Sequence, residues 1–288
     1  MPPRISVIIP ARNAAPVIAT QLDALAAQKY EGEWEVIVAD NASRDGTALV
    51  VRNFKDLMRL RIIVADQFVS PGYTRNAAAR VANGDLLCFC DADDQIGPGW
   101  LAAFARAAKS ADAIGGRIDE ISLNNARVLR WRSALARSGL PDAWYYLPYA
   151  SSANFAIWKT VFDSLLGFNE NLLSCEDVDL CWRLQQSGGT LGYADDAIVA
   201  YRHRTSLIRL AHQNYMRARW AVPLVYAHRQ GDCQGPHLAT LLERILYWDP
   251  IIPTRLSVGR LVAALAMEIG ILAGRLSRML TSRPCGRA

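Results

Sequence analysis

Three aspartates crowd into four positions in the segment 86–95, "LLCFCDADDQ", at Asp91, Asp93 and Asp94, directly after an uninterrupted run of apolar and thiol side chains. Carboxylates that close repel one another, so a chain that keeps them has something to gain from the negative charge. Residues 91 and 93 alternate on an extended backbone and point the same way. At the mouth of a sheet, two hard oxygen donors on one side suit Mg²⁺ or Mn²⁺, ions that keep waters and bind substrate phosphates. A solvated turn is the plainer alternative, since aspartates are common after strands. A second acid-rich stretch, "CEDVDLCWR", sets Glu176, Asp177 and Asp179 in a first helical turn. There acids favour the helix dipole, and Asp179 with Arg183 has the spacing of an ordinary helical ion pair. A third, "VADNASRDGT" (38–47), places Asp40 and Asn41 where a strand ends. A carboxylate in that position accepts the N3–H of a uracil, while Asp45 suits a helix N-cap. Arg12 and Asn13 follow "VIIPA" with polar groups able to line a nucleotide, and Arg75 and Asn76 stand in a first helical turn, where an anion is favoured.

The elements that must position these groups follow from periodicity. "ISVIIP", "WEVIVAD", "LRIIVAD", "DLLCFCD" and "ADAIGGRI" read as strands, separated through residue 118 by segments with helical spacing. "ANFAIW" (153–158) and "AIVAYRHR" (197–204) add two more. Strands alternating with helices imply βαβ units and a mostly parallel sheet, with ligands beyond the carboxyl ends of the strands. Pro10, Asp40 and Asp91 all stand at such ends and should share one crevice. The segment 130–152, aromatic and basic, suits a loop over a site. The glycines at 84, 167 and 188 read as helix ends.

Composition bounds the function. The 288 residues suffice for a full core, and the net charge of +5 is too diffuse for a nucleic-acid partner. The six cysteines show no CxxC pair and no disulfide framework, which fits reduced thiols in the cytosol. A strand is read within four residues of Met1, so no signal peptide is expected. "VGRLVAALAMEIGILAGRL" (258–276) is almost wholly apolar apart from Glu268 and is flanked by Arg260, Arg275 and Arg278. We expect a helix lying on the cytoplasmic membrane face; a span and a core helix are the alternatives.

Taken together and in order, "SVIIPARN", "VADNASRDGT", "TRNAAARVANGDLLCFCDADD", "LLGFNENL" and "CEDVDLCWRL" resemble the family 2 glycosyltransferases over roughly residues 4–205. The resemblance implies a GT-A fold, with a catalytic domain 1–205 and a helical C-terminal region 206–288. It implies inverting transfer of a sugar from a nucleotide sugar, with a divalent metal (Mg²⁺ or Mn²⁺), to a hydroxyl acceptor. A UDP-sugar donor and a glycan or lipid-linked acceptor are expected. Residue by residue, it implies Asp91 and Asp93 as the DxD acids on ribose and metal, with His203 as third ligand. Pro10, Arg12 and Asn13 would lie under the nucleobase, Asp40 would bind it, and Asn76 and Asn154 would line the donor site. Asp177 would be the catalytic base and Glu176 would help hold the acceptor. Cys175 stands where glycine is frequent in the family. A sugar-1-phosphate nucleotidyltransferase is the alternative enzyme, but the first strand–helix turn, "PARNAAP", lacks the glycine-rich loop and lysine that class needs. A nucleotide-sugar-binding protein without turnover is the non-enzymatic alternative.

Overall fold

The computed structural model describes residues 1–131, 139–141, 146–229 and 258–281. Much of the expected loop 130–152, the stretch 230–257, and Cys233 and Cys285 lie outside them. The chain folds as two compact units. The first holds Met1–Asn124, Ala136–Leu172 and Glu176–Arg202; the second holds Asn125–Leu135, Leu173–Cys175 and His203–Ala288.

The first unit is a mixed eight-stranded sheet with helices on both faces, in the order β3-β2-β1-β4-β7-β6-β8-β5. β1 (Ile5–Ala11), β2 (Trp34–Asp40), β3 (Leu60–Val64) and β4 (Leu86–Cys90) are parallel. β7 (Asn154–Trp158) runs antiparallel to both β4 and β6 (Ala113–Asp119), and β5 (Gln95–Ile96) antiparallel to β8 (Leu191–Ala200); β6 and β8 are parallel. The expectation of a mostly parallel sheet holds: β6 and β8 run the same way as β1 to β4, and only β7 and β5 are reversed. β7 is followed by α6 (Lys159–Ser164).

Side-chain alternation on the central strands makes two cores. Ile5, Val7 and Ile9 of β1, with Leu86, Cys88 and Cys90 of β4, pack under α1 (Ile18–Ala26), α2 (Thr47–Arg52) and α4 (Trp100–Ala107). Ile8, Leu87 and Phe89 face the opposite side, against Tyr73 and Ala78 of α3 (Pro71–Arg80), Phe162 of α6, and Leu180 and Leu184 of α7 (Glu176–Gln186). All five residues of β4 are therefore buried, which is why its sequence is apolar without alternation. Pro10 costs no ladder bond: the β1–β4 register ends at Ile8, two residues earlier. Gly84 does not end a helix. α3 stops at Arg80, and a Cβ at Gly84 would overlap the Ser6 backbone nitrogen, so glycine there permits backbone-to-backbone packing.

The second unit contains α5 (Ala126–Leu129), α8 (Leu207–His228) and α9 (Val258–Thr281). Pro223 inside α8 cannot donate to the Arg219 carbonyl. Gly274 of α9 packs on that carbonyl, where a Cβ would come within 2.7 Å. Gly270 packs likewise on the Tyr215 carbonyl. Val128, Trp131, Leu210 and Ala263 form this unit's small core. Among the described residues no helix is long and apolar enough to cross a membrane.

Candidate active site

β1, β2 and β4 run in one direction, so their carboxyl ends lie along one edge of the sheet, and the antiparallel β7 brings its first residue there too, with Asn154 opposite Cys90. The chain leaves β4 in a turn rather than an extended strand. That turn, and not strand alternation, gathers the acids: ligand oxygens of Asp91, Asp93 and Asp94 all lie within 4.8 Å of one another. Sequence reasoning named the first two and missed the third. Asp94 is fully buried and its Oδ1 accepts from the Arg202 backbone N–H at 2.8 Å, while the Arg202 Nε–H donates to the Asp93 carbonyl at 2.9 Å. This clasp ties the end of β8 to the acidic turn. Three carboxylates at that spacing are a hard-oxygen donor set that fits Mg²⁺ or Mn²⁺.

Arg75 joins the cluster from α3. Ser70 caps that helix, accepting from the Tyr73 N–H, and Pro71 takes a first-turn position whose missing N–H costs nothing. The next turn carries Arg75 beneath the acids, 4% exposed, with its guanidinium 5.8 Å from the centre of the Phe168 ring. One terminal nitrogen meets Asp91 Oδ1 at 2.7 Å and the other meets Glu176 Oε1 at 2.8 Å. The anion expected at this helix start is thus a pair of the protein's own carboxylates. Burial, then the neighbouring Asp177, push Glu176 up to about 7 against the pull of Arg75.

Glu176 and Asp177 diverge, as adjacent helical residues must. Glu176 turns inward to Arg75. Asp177, half-buried, accepts from the Ser152 N–H at 3.0 Å and from the Val178 N–H at 2.9 Å. Each oxygen keeps a further lone pair. Cys175, just before α7, has φ +67°, in the left-handed region that favours glycine. The family's frequent glycine at this position thereby has a conformational reason. Asp179 pairs with Arg183 at 2.8 Å, and Arg183 also donates to the Leu165 and Gly167 carbonyls. This ion pair serves to anchor α7.

The loops after β1 and β2 are stitched together. Asn13, at φ +50°, donates its N–H to Ser43 and accepts from the Arg44 N–H; the Ala14 N–H donates to Thr47, and the Ala15 N–H to Asp45. Asp45 also accepts from Thr47 at the start of α2. Asp40 Oδ1 accepts from the Ser43 N–H at 3.0 Å, which holds the carboxylate at the end of β2. Arg12 donates to Asn41, whose amide in turn donates to the Ala65 and Phe68 carbonyls. Asn41 is the hub of this corner, and only its place beside Asp40 hinted at that.

Two residues expected to line the donor site are otherwise engaged. Asn154, 1% exposed, accepts from Trp100 Nε1 and donates to the Arg117 and Ala197 carbonyls, each at 2.8 Å. It closes the β-bulge between Gly116 and Arg117, where a Cβ on Gly116 would overlap its amide nitrogen. Asn76 is buried, bonding both the N–H and the carbonyl of Phe168 and the Glu170 carboxylate. These amides hold strands and loops in place, with their polar atoms spent inside the fold. His203 is buried and belongs to the second unit. Burial pushes the thiol pKa values of Cys88, Cys90 and Cys181 up, and none of the four described cysteines is in a disulfide.

The comparisons agree with this geometry. A family model described as glycosyl transferase family 2 matches residues 6–166, more than half of the chain. The chain is 27% identical over 200 residues to glycosyltransferase AglE of Haloferax volcanii, covering 68% of this chain and 66% of that protein. It is 26% identical to the pre-mycofactocin glycosyltransferase of Mycobacterium tuberculosis, covering 98% of this chain and 56% of that one. The chain thus spans less than two thirds of the length of these relatives. Among solved structures it is similar to a mannosyltransferase from Pyrobaculum calidifontis in complex with GDP-Man and Mn²⁺, with a TM-score of 0.62 and 20% identity, covering 98% of this chain and 77% of that one. TarS of S. aureus in complex with UDP-GlcNAc gives 0.58 and 17%, covering 95% and 92%. At such identities the likeness shows the fold, which is GT-A. With the family model matching most of the sheet and the acidic turn after β4, this chain belongs to glycosyl transferase family 2.

Proposed function

We propose that the protein transfers a sugar, with inversion, from a nucleotide-diphosphate sugar to a hydroxyl of a glycan or lipid-linked acceptor. The observation that carries this reading is the Arg75 bridge, which sets a cation-fitting carboxylate cluster and the first turn of α7 side by side in one unit. Asp91 and Asp93, aided by Asp94, would hold Mg²⁺ or Mn²⁺. The chemistry such a cation supplies there is neutralisation of charge on the departing diphosphate. Asp40, fixed at the end of β2, would accept the imide N3–H of a uracil, which favours a UDP-sugar; Pro10, Arg12 and Asn13 supply the loop beneath the base. Asp177 would take the acceptor hydroxyl's proton. Inversion in one displacement needs a single base on the face opposite the leaving group. Glu176, held by Arg75, would orient the acceptor.

The same reading places the protein at the cytoplasmic face of the membrane, as a peripheral protein. It rests on an exposed row on α9, Leu261, Leu265, Ile269, Leu272 and Leu276, spaced by three and four residues.

Thermal-shift titration with a panel of nucleotide sugars and Mn²⁺ tests the donor. A ligand at a hundred times its Kd adds about 2.7 kcal/mol. Asp93→Ala should lose that Mn²⁺-dependent stabilisation while keeping its own unliganded melting transition. An unchanged UDP-sugar affinity in Mn²⁺ would sink the cation assignment, and a product that retains anomeric configuration would sink inversion.

A further inference from the structure

The two acids joined by Arg75 lie 16 and 101 positions from it along the chain. One belongs to the acidic turn and the other to α7. A guanidinium buried for packing alone would have its N–H groups paired. This one gives one terminal nitrogen to each carboxylate and leaves its buried Nε–H without an acceptor among the described residues. Asp91 is 28% exposed, so it is open to a ligand, whereas Arg75 and Glu176 are at 5% and 7%. Besides the direct repulsion between the two carboxylates, whatever arrives at Asp91 is felt by Glu176 through Arg75, which touches both.

We infer that Arg75 is a positioning residue that couples the two ends of the site energetically, so that a cation on the Asp91 cluster and the charge of Glu176 strengthen each other. This rests on the proposed cation site. The physical reason is competition for one positive charge. While Glu176 is ionised it shares the guanidinium and weakens its hold on Asp91, which leaves that carboxylate available to a cation. When Glu176 is neutral the guanidinium serves Asp91 alone, repelling the cation and blocking an oxygen it needs. Linkage makes the effect reciprocal: a cation that takes Asp91 returns Arg75 to Glu176 and fixes the acceptor-side carboxylate. The donor end would then prepare the acceptor end without any movement of the sheet.

The test is a double-mutant cycle read as Mn²⁺ affinity, by calorimetry or by the EPR signal of free Mn²⁺, on the full chain without sugar donor. Glu176→Gln should weaken Mn²⁺ binding about five- to tenfold, at the low end of measured couplings. In an Arg75→Met background the same change should alter it by less than about twofold, because the mediator is gone. If Arg75→Met does not fold, Arg75→Lys serves, since a point charge cannot hold two carboxylates in a fork. Equal effects of Glu176→Gln in both backgrounds, or no effect in either, overturn the coupling. Asp93→Asn separates the two ideas. If the wild type shows no saturable binding that Asp93→Asn removes, the cation site itself is wrong and the linkage falls with it. Binding that Asp93→Asn removes but that shows no coupling overturns the linkage alone.

Discussion

Two adjacent carboxylates, Glu176 and Asp177, are set to different work by what they touch. Asp177 sits half-buried with backbone N–H donors on both oxygens, which fixes its direction and keeps lone pairs for an acceptor hydroxyl. Asp177→Asn preserves that shape and cannot take a proton at neutral pH. We expect kcat to fall by about 10² to 10⁴, the span of a lost general base, with donor affinity nearly unchanged. Steady-state kinetics beside Asp179→Asn checks this: that variant loses the Arg183 anchor and should lower the melting temperature instead. Retained turnover in Asp177→Asn would move the base elsewhere. Glu176 answers to pH. Its carboxyl is raised by burial from 4.5 to about 7, so between those values the folded chain holds a proton the unfolded chain has released. Stability from this group is present at the acid end and is lost as pH rises through the window. Between about pH 5 and pH 7, therefore, the wild type should lose more thermal stability than Glu176→Gln, whose side chain does not titrate. Parallel melting curves for the two proteins would refute it.

At the scale of elements, legibility followed locality. β4 and its acids were plain in the sequence because a doubly buried strand must be apolar throughout, and because a metal-fitting cluster needs only neighbours along the chain. Arg75 and Glu176 stand 101 positions apart, and no local pattern announces their meeting. The antiparallel entry of β7 was equally hidden, since strand direction is set by pairing rather than by composition. Asn154, expected from the family resemblance to line the donor site, bonds within the fold at the bulge between β6 and β8. Asn154→Leu should leave the Trp100 indole N–H and two carbonyls buried and unpaired. At about 1–3 kcal/mol for each such group, a loss of at least about 3 kcal/mol is expected, visible as a lower denaturant midpoint. An unchanged midpoint with a weakened donor affinity would restore Asn154 to the sugar site.

For the whole molecule, the question is where it works. The chain carries a net charge of +5, and α8 contributes Arg209, Arg217 and Arg219 to its surface without one acid in its 22 residues. Basic side chains near an anionic bilayer are each worth about 1 kcal/mol, and an interfacial helix adds the burial of its apolar row. On α9 that row is five aliphatic side chains long, between 41% and 59% exposed. A pair of protein copies needs some 20–30 residues a side for a standard interface, far more than one row of five supplies. A lipid surface makes no such demand. We therefore expect the full chain to float with anionic vesicles, less so at high salt and little with neutral ones. Leu265→Glu combined with Leu272→Glu removes two side chains worth about 1.5–3 kcal/mol each on burial, so vesicle affinity should drop at least about a hundredfold. Melting of the sheet unit should stay as it was, since both residues belong to the other unit. If the wild type ignores vesicles, the peripheral reading fails. If the double variant instead unfolds at lower temperature with vesicle binding intact, the row is covered by this chain itself and the membrane contact lies elsewhere.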